Sequence, residues 1–366
     1  MTEILSSLSA MTPQWLTEAL TEAGHSPPEV AAVEVRAMDG FVGALGEVGI
    51  ASVEYASPTG LPSEFVAKCP LDDDIARMYA SVILSYQREA GFYDELASAV
   101  TSRTPIRIPQ CFVNLFDPDT HAATLLIERV HPAEKGDILA GTTFERLHRL
   151  VGDLARLHGS FWLDETLVDR GWLIDWMSPS LRIGIPMTVE SWGNVREQFP
   201  HHHPDDIAEL VEQVWLSDIE GWLERFSSRR WTLIHQDYEL DNILFRPDGP
   251  VIVDWQTVMR SFPGVDLGWL LMTSHTDATL PREPELLDHY RRELAAAGGP
   301  DWSEDDLAED LAWAGFYWVG VSHVAFMNSV PAGEADRAHR RFKAMMLGTI
   351  AAAQRWHTVE RMSAHT

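Results

Sequence analysis

Cysteine is scarce in this chain of 366 residues, which holds only Cys69 and Cys111. One disulfide is conceivable, but so low a thiol count in a long chain fits a reducing compartment better. Also missing is any apolar run approaching the roughly 18 residues of a membrane span. The opening MTEILSSLSAMTPQW has no basic start followed by an apolar core, so it does not read as a secretory signal. A soluble cytoplasmic protein is expected, with no membrane as partner.

Positive charge is in short supply. Against 55 Asp and Glu stand 28 Lys and Arg, a formal net charge of −27, and no Lys/Arg run is long enough to make a basic patch. Such a surface repels nucleic acid and anionic membranes, so a nucleic-acid partner is not expected. The composition is otherwise that of a globular enzyme, apart from 14 Trp. Single cores stop growing beyond roughly 250–300 residues, so a chain of this length is expected to form two lobes.

The chemistry is concentrated in residues 231–267, WTLIHQDYELDNILFRPDGPVIVDWQTVMRSFPGVDL. A short apolar run ends at His235 and is followed by a polar loop holding Asp237 and Asn242. A second apolar run, Val251 to Val253, delivers Asp254 at its end. Strand ends and short loops hold reactive groups still while leaving them reachable. Two Asp and one Asn placed this way suit the handling of metal and phosphate. RPDGP at 246–250 reads as a hairpin turn, and Asp241 and Asp248 read as turn formers whose side chains bond the local backbone.

Upstream, Thr12 and Pro13 open a capped helix that Gly24 closes. VEVRAM, GIASVEYAS and EFVAKCP read as strands. Between the first two lies DGFVGALGEVG, with Gly40, Gly43, Gly46 and Gly49 at every third position. A glycine-rich turn between strands lets backbone N–H groups approach phosphate, although this one is not GxGxxG. Lys68 follows the apolar strand Phe65-Val66-Ala67 in a chain with few lysines. Residues 79–96 have helical spacing. RIPQCFVNLFDPDTHAATLLIERV holds two more strands around a turn.

Thr143 opens a long amphipathic helix through Leu147, Leu150, Val151, Leu154 and Leu157, and His158 at its end reads as a packed structural group. Residues 163–200 show no clean period and read as an insertion. His201, His202 and His203 read as an exposed loop, because three adjacent side chains point different ways. A helix is expected over 205–226. Late helices carry the stripe LAWAGFYWVGVSHVAF, whose plainer reading is an aromatic core; only the family resemblance drawn below implies that Trp313, Tyr317, Trp318 and His323 are candidates to meet an acceptor. Rings facing an acceptor would suit a bulky apolar alcohol.

HxDxxxxN followed by a strand-terminal Asp resembles the catalytic loop and metal-binding Asp of protein-kinase-like phosphotransferases, and FVAK resembles their VAIK strand. HQDYELDNILF, VIVDWQ and GVDLGWLL look like the aminoglycoside phosphotransferase and choline kinase superfamily. DWQ, EAGFYDEL, LLIERV and LARLHGSFW look most like its ecdysteroid-kinase-like branch. The resemblance implies an α+β, two-lobe kinase-like fold, with a nucleotide-binding lobe of antiparallel sheet and helix over residues 1–130. A larger, mostly helical lobe for catalysis and the acceptor would span 131–366.

It further implies Asp237 as catalytic base, Asn242 and Asp254 as Mg²⁺ ligands, Lys68 on the phosphates of ATP (or GTP) and Glu89 as its partner. His235 and Asp266 would brace the loop, and backbone near Glu128, Arg129 and Val130 would meet the adenine. The implied activity is phosphoryl transfer to the hydroxyl of a small molecule, a bulky apolar metabolite or an antibiotic. Three departures stand out: Gln236 where these families carry Gly, an irregular glycine loop, and Trp255 in place of Phe. A catalytically silent kinase-like ligand-binding protein is the alternative. A two-metal hydrolase would need a further His/Asp cluster that the sequence lacks, and a peptide kinase would need an APE segment.

Overall fold

The computed structural model describes residues 2–38, 46–183, 185–198, 203–329 and 337–365. The chain divides into two compact units. The first comprises Met1–Thr101, Arg107–Ala133 and Val251–Thr257; the second comprises Ser102–Ile106, Glu134–Pro250 and Val258–Thr366.

The first unit is built on an antiparallel sheet of β1 (Val30–Ala37), β2 (Gly46–Tyr55), β3 (Glu64–Pro70), β4 (Cys111–Asp117) and β5 (Ala122–Glu128), in the order β1-β2-β3-β5-β4. Side chains alternate across a strand. Phe65, Ala67 and Cys69 therefore join Leu16 and Leu20 of α1 (Pro13–Glu22) in one apolar cluster, while Val66 packs on the opposite face with Leu125 and Ile127. Lys68 shares the Val66 side, paired in register with Val48 and Leu125. The ends of α1 are as the sequence implies: Thr12 Oγ1 accepts from Trp15 N at 3.1 Å, and Gly24 takes φ +86 just past the end.

Residues 79–96 are not the single helix that their spacing predicts. α2 (Asp74–Val82) stops before Leu84, whose φ of 57 is left-handed, and α3 (Ser85–Gly91) starts a new axis. α3 runs into a π turn at Phe92–Leu96, then α4 (Ala97–Arg103).

The second unit holds the short strands β6 (Glu134–Lys135), β7 (Thr232–Ile234), β8 (Ile243–Arg246), β9 (Gly249–Ile252) and β10 (Met259–Ser261). The chain returns to the first unit along β9. β7 pairs antiparallel with β10, and the RPDG turn links β8 to β9 as expected. The remainder is helical: α5 (Phe144–Ser160), α6 (Pro179–Ile183), α7 (Ile185–Gln198), α8 (Asp205–Glu209), α9 (Ile219–Ser228), α10 (Gly264–Ser274), α11 (Glu283–Ala296), α12 (Glu304–Ser329), α13 (Arg337–Arg355) and α14 (Thr358–Ser363). Among the described residues no helix is long and apolar enough to cross a membrane.

Thr143 caps α5, its Oγ1 accepting from Arg146 N at 3.3 Å, and the helix buries its apolar face of Leu147, Leu150, Val151, Leu154 and Leu157. Three expectations are corrected. The stretch 163–200 is partly helical, its apolar anchors Trp192 and Val195 lying one turn apart on α7. The helix over 205–226 is interrupted by a π turn at Leu210–Trp215, and Asp218 caps a fresh start by accepting from Gly221 N at 3.1 Å. His203 is buried, its ring edge-on to Trp192 at 5.1 Å. An imidazole can fill an aromatic niche at little desolvation cost when neutral. His201 and His202 lie outside the described residues.

Candidate active site

In the first unit the ammonium of Lys68 lies between two carboxylates. It donates to Glu89 Oε1 at 2.6 Å and to Asp254 Oδ1 at 3.0 Å. Burial alone pulls the Lys68 pKa down, but Asp254 and Glu89 outweigh it and hold the pKa above the ordinary lysine value. Burial raises the pKa of Glu89, against the pull of Lys68.

Glu89 reaches this position because the break at Leu84 lets α3 approach the segment around Asp254. Ser85 Oγ donates to Gln256 Oε1 at 3.1 Å, and the fully buried Arg88 donates to the Thr257 carbonyl. Trp255 stacks on Phe92 from the π turn, and its Nε1–H donates to Ile252 O at 3.3 Å. Asp254 is thus held at φ +67, a backbone state that non-glycine residues take only under constraint.

Of the glycine positions, Gly46 opens β2, where an added Cβ would come within 3.1 Å of the Cys69 carbonyl. Gly40 and Gly43 lie outside the described residues. Glu128 ends β5 with its N–H donating to Gln110 O at 2.7 Å and its Oε2 accepting from Gln110 N at 3.2 Å. Arg129 pairs with Glu64.

In the second unit the loop after β7 is held from beneath by Asp266 of α10. Its Oδ2 accepts from His235 N at 2.7 Å and its Oδ1 from Gln236 N at 2.6 Å. His235 is fully buried, with Nδ1 accepting from Asp237 N at 3.3 Å. Gln236 takes φ +69, a left-handed state that glycine adopts most readily. Here the amide is retained and donates from Nε2 to Tyr317 Oη at 3.0 Å. Asp237 receives Asn242 Nδ2 at Oδ2 (2.9 Å) and Trp269 Nε1 at Oδ1 (3.1 Å). Asn242 Nδ2 also donates to Asp237 O at 3.0 Å, so its oxygen is the atom that a hard cation would take.

Beneath this loop lies a charged net. Glu239, fully buried, pairs with Arg341 of α13; burial nevertheless pushes its carboxyl up to about 8. Asp241 accepts from Ile138 N at 3.0 Å and pairs with Arg337 and Arg341. Its side chain therefore bonds remote groups rather than the local backbone expected of a turn former. Burial raises its pKa, but the Ile138 N–H and Arg337 hold it below the ordinary range. Asp248 does sit in the turn, accepting from Arg246 Nε at 3.1 Å.

His158 is interior as expected, with Nδ1 bonded to Tyr290 Oη at 2.7 Å. The late aromatics are also interior. Trp313, Tyr317 and Trp318 are buried among Trp222, Phe226 and Trp269, so they form core rather than an acceptor surface. The side chain of His323 lies outside the described set. The stripe therefore no longer argues for an apolar acceptor.

Four residues of this constellation were not legible as functional: Arg88, Gln256, Trp269 and Arg341. Trp269 carried a usable signal, because it lies three residues beyond Asp266 and so one turn along the same helix face.

Residues 80–308 match the APH family, the phosphotransferase enzyme family. No curated protein matches the sequence. Among solved structures, the chain resembles a candidate aminoglycoside phosphotransferase from Ralstonia eutropha JMP134, with TM-score 0.51, 15% identity, and coverage of 94% of this chain and 97% of that one. It also resembles choline kinase from Cryptosporidium parvum Iowa II, with TM-score 0.54, 10% identity, and coverage of 91% and 92%. At these identities the likeness establishes the two-lobe kinase-like fold.

Proposed function

Because this chain belongs to the phosphotransferase enzyme family, we propose that it transfers the γ-phosphoryl group of ATP to a hydroxyl of a small molecule, with GTP as the other donor to test. The observation that carries this reading is the Lys68 ammonium set between Glu89 and Asp254. Nucleotide binding falls to the first unit and the base to the second. Within the family we favour the ecdysteroid-kinase-like branch, on DWQ, EAGFYDEL, LLIERV and LARLHGSFW.

Asp254 offers a carboxylate and Asn242 an amide oxygen, the hard donors that suit Mg²⁺, an ion that keeps several of its waters. No group of three His, Cys, Asp or Glu side chains converges among the described residues, and a largely hydrated ion needs no such cage. When bound, Mg²⁺ would offset the negative charge of the triphosphate oxygens.

Lys68 meets the α- and β-phosphate oxygens, and Glu89 keeps its Nζ in place. Asp237 accepts a hydrogen bond from the acceptor hydroxyl and takes its proton as the oxygen bonds to the γ-phosphorus. The bond from that phosphorus to the β,γ-bridging oxygen breaks, and ADP departs with the electron pair.

The test is a screen of purified protein with ATP or GTP against aminoglycosides, choline, sterols and other hydroxylated metabolites, read by mass for gain of one phosphoryl group. Asp237→Ala should abolish turnover while nucleotide still binds, and Asp254→Ala should weaken Mg²⁺-nucleotide binding as well. Undiminished phosphorylation by both variants would overturn the assignment.

A further inference from the structure

The carboxylate of Asp237 is held from two sides. Asn242 occupies Oδ2, and the indole N–H of Trp269 occupies Oδ1. The terminal torsion of an aspartate is broad, so its orientation must come from such partners. Trp269 is itself fixed: it is buried, and its ring lies on Trp318 with centroids 3.9 Å apart and planes 16° from parallel. Trp318 Nε1 in turn donates to Val265 O at 2.9 Å, back on α10. The preceding residue, Tyr317, accepts from Gln236 Nε2, so α12 touches the loop directly at Gln236 and reaches Asp237 through Trp269.

We propose that Trp269 is a positioning residue for Asp237. Its N–H fixes the carboxylate plane, leaving one lone pair on each oxygen for the acceptor hydroxyl. The inference rests on the phosphoryl transfer proposed above. The competing account is that a buried indole merely needs an acceptor and takes the nearest one. That account predicts a loss of stability on removal of the N–H, with no specific loss of turnover.

The experiment compares wild type, Trp269→Phe and Asp237→Ala by ATP hydrolysis with water as acceptor, thermal unfolding, and the ¹⁵N-resolved indole resonances. Trp269→Phe keeps a ring on Trp318. It should lower kcat by about tenfold, the effect expected on losing one hydrogen bond to a charged group, with KM for ATP unchanged. The resonance that vanishes in Trp269→Phe should move when Asp237 becomes Ala. If that resonance stays put, or if Trp269→Phe turns over as fast as wild type while Asp237→Ala is inactive, the positioning role is wrong. A wild type that transfers phosphoryl neither to water nor to any acceptor of the screen above would overturn the phosphotransfer reading and this role with it, even if the resonance moved.

Discussion

Trp255 lies flat on Phe92, ring centroids 4.0 Å apart and planes 5° from parallel. Phe92 opens the π turn that follows α3, and Trp255 directly follows Asp254. The stack therefore ties the strained backbone at Asp254 to the helix that carries Glu89. Replacing Trp255 with Ala removes a fully buried ring and should cost about 3–5 kcal/mol in urea unfolding, along with weaker Mg²⁺-nucleotide binding. Trp255→Phe retains a ring for the stack and should lose far less in both measurements. Equal losses in the two variants would detach the stack from the placement of Asp254.

The Lys68–Glu89 pair gives a second prediction, in which a second substitution offsets part of the loss caused by the first. Both side chains are largely withdrawn from water, at 15% and 4% exposure, so removal of the cation leaves Glu89 and Asp254 facing each other without compensation. Lys68→Met should therefore destabilise the protein by about 3–5 kcal/mol. Adding Glu89→Gln should recover part of that loss, because one of the two carboxylates is gone. Neither variant should restore nucleotide turnover. Chemical denaturation of the three proteins settles the ordering.

The parts of this arrangement visible in the sequence are those whose signal is local. Phe65-Val66-Ala67-Lys68 reads as a strand because it is a short apolar run between Gly and Pro signals, and the capping of α1 and α5 follows from Thr12 and Thr143. The HQD loop and Asp254 stand at the ends of apolar runs, and such ends survive any change in tertiary setting. What could not be read depends on partners far away in the chain. Asp241 resembles a turn former until Ile138 and Arg337 come to meet it, and nothing in HHHP reveals that Trp192 will shelter His203. The apolar stripe of α12 has the same pattern whether its rings face a ligand or a core, and Trp222 and Phe226 decide for the core. The left-handed turn at Leu84 has no glycine or proline to announce it, so nothing local separates α2 from α3.

Asp266 offers a third test. Two backbone N–H groups of the loop, those of His235 and Gln236, converge on its two carboxylate oxygens, and the residue is wholly buried. Asp266→Asn preserves shape but presents one acceptor oxygen and one NH₂ group. One of the two backbone donors is then left facing another donor, at a cost of about 1–3 kcal/mol. The loss should appear as a lower urea midpoint with an unchanged slope, and kcat should fall as well because Asp237 follows directly in the chain. An Asn variant as stable and as active as wild type would show that Asp266 does not hold the loop.

The fourth prediction concerns pH and lies away from the loop, where α5 meets α11. His148 and His289 stack with centroids 3.7 Å apart and planes 15° from parallel. The fit requires Gly152, since a Cβ there would sit 2.6 Å from His289 Nε2. Burial, followed by the facing His148, lowers the His289 pKa below its ordinary 6.5; Arg292 and Arg156 act in the same sense and Glu293 against them. A base with a depressed folded-state pKa contributes stability that is present above its unfolded value and is lost as pH falls through the folded one. Thermal midpoints should therefore decline from pH 7 downward, and His289→Asn should make that decline shallower. Gly152→Ala, despite the better helix propensity of alanine, should lower the midpoint at every pH by forcing the two rings apart. Parallel pH curves for wild type and His289→Asn would remove the histidine pair from the acid response.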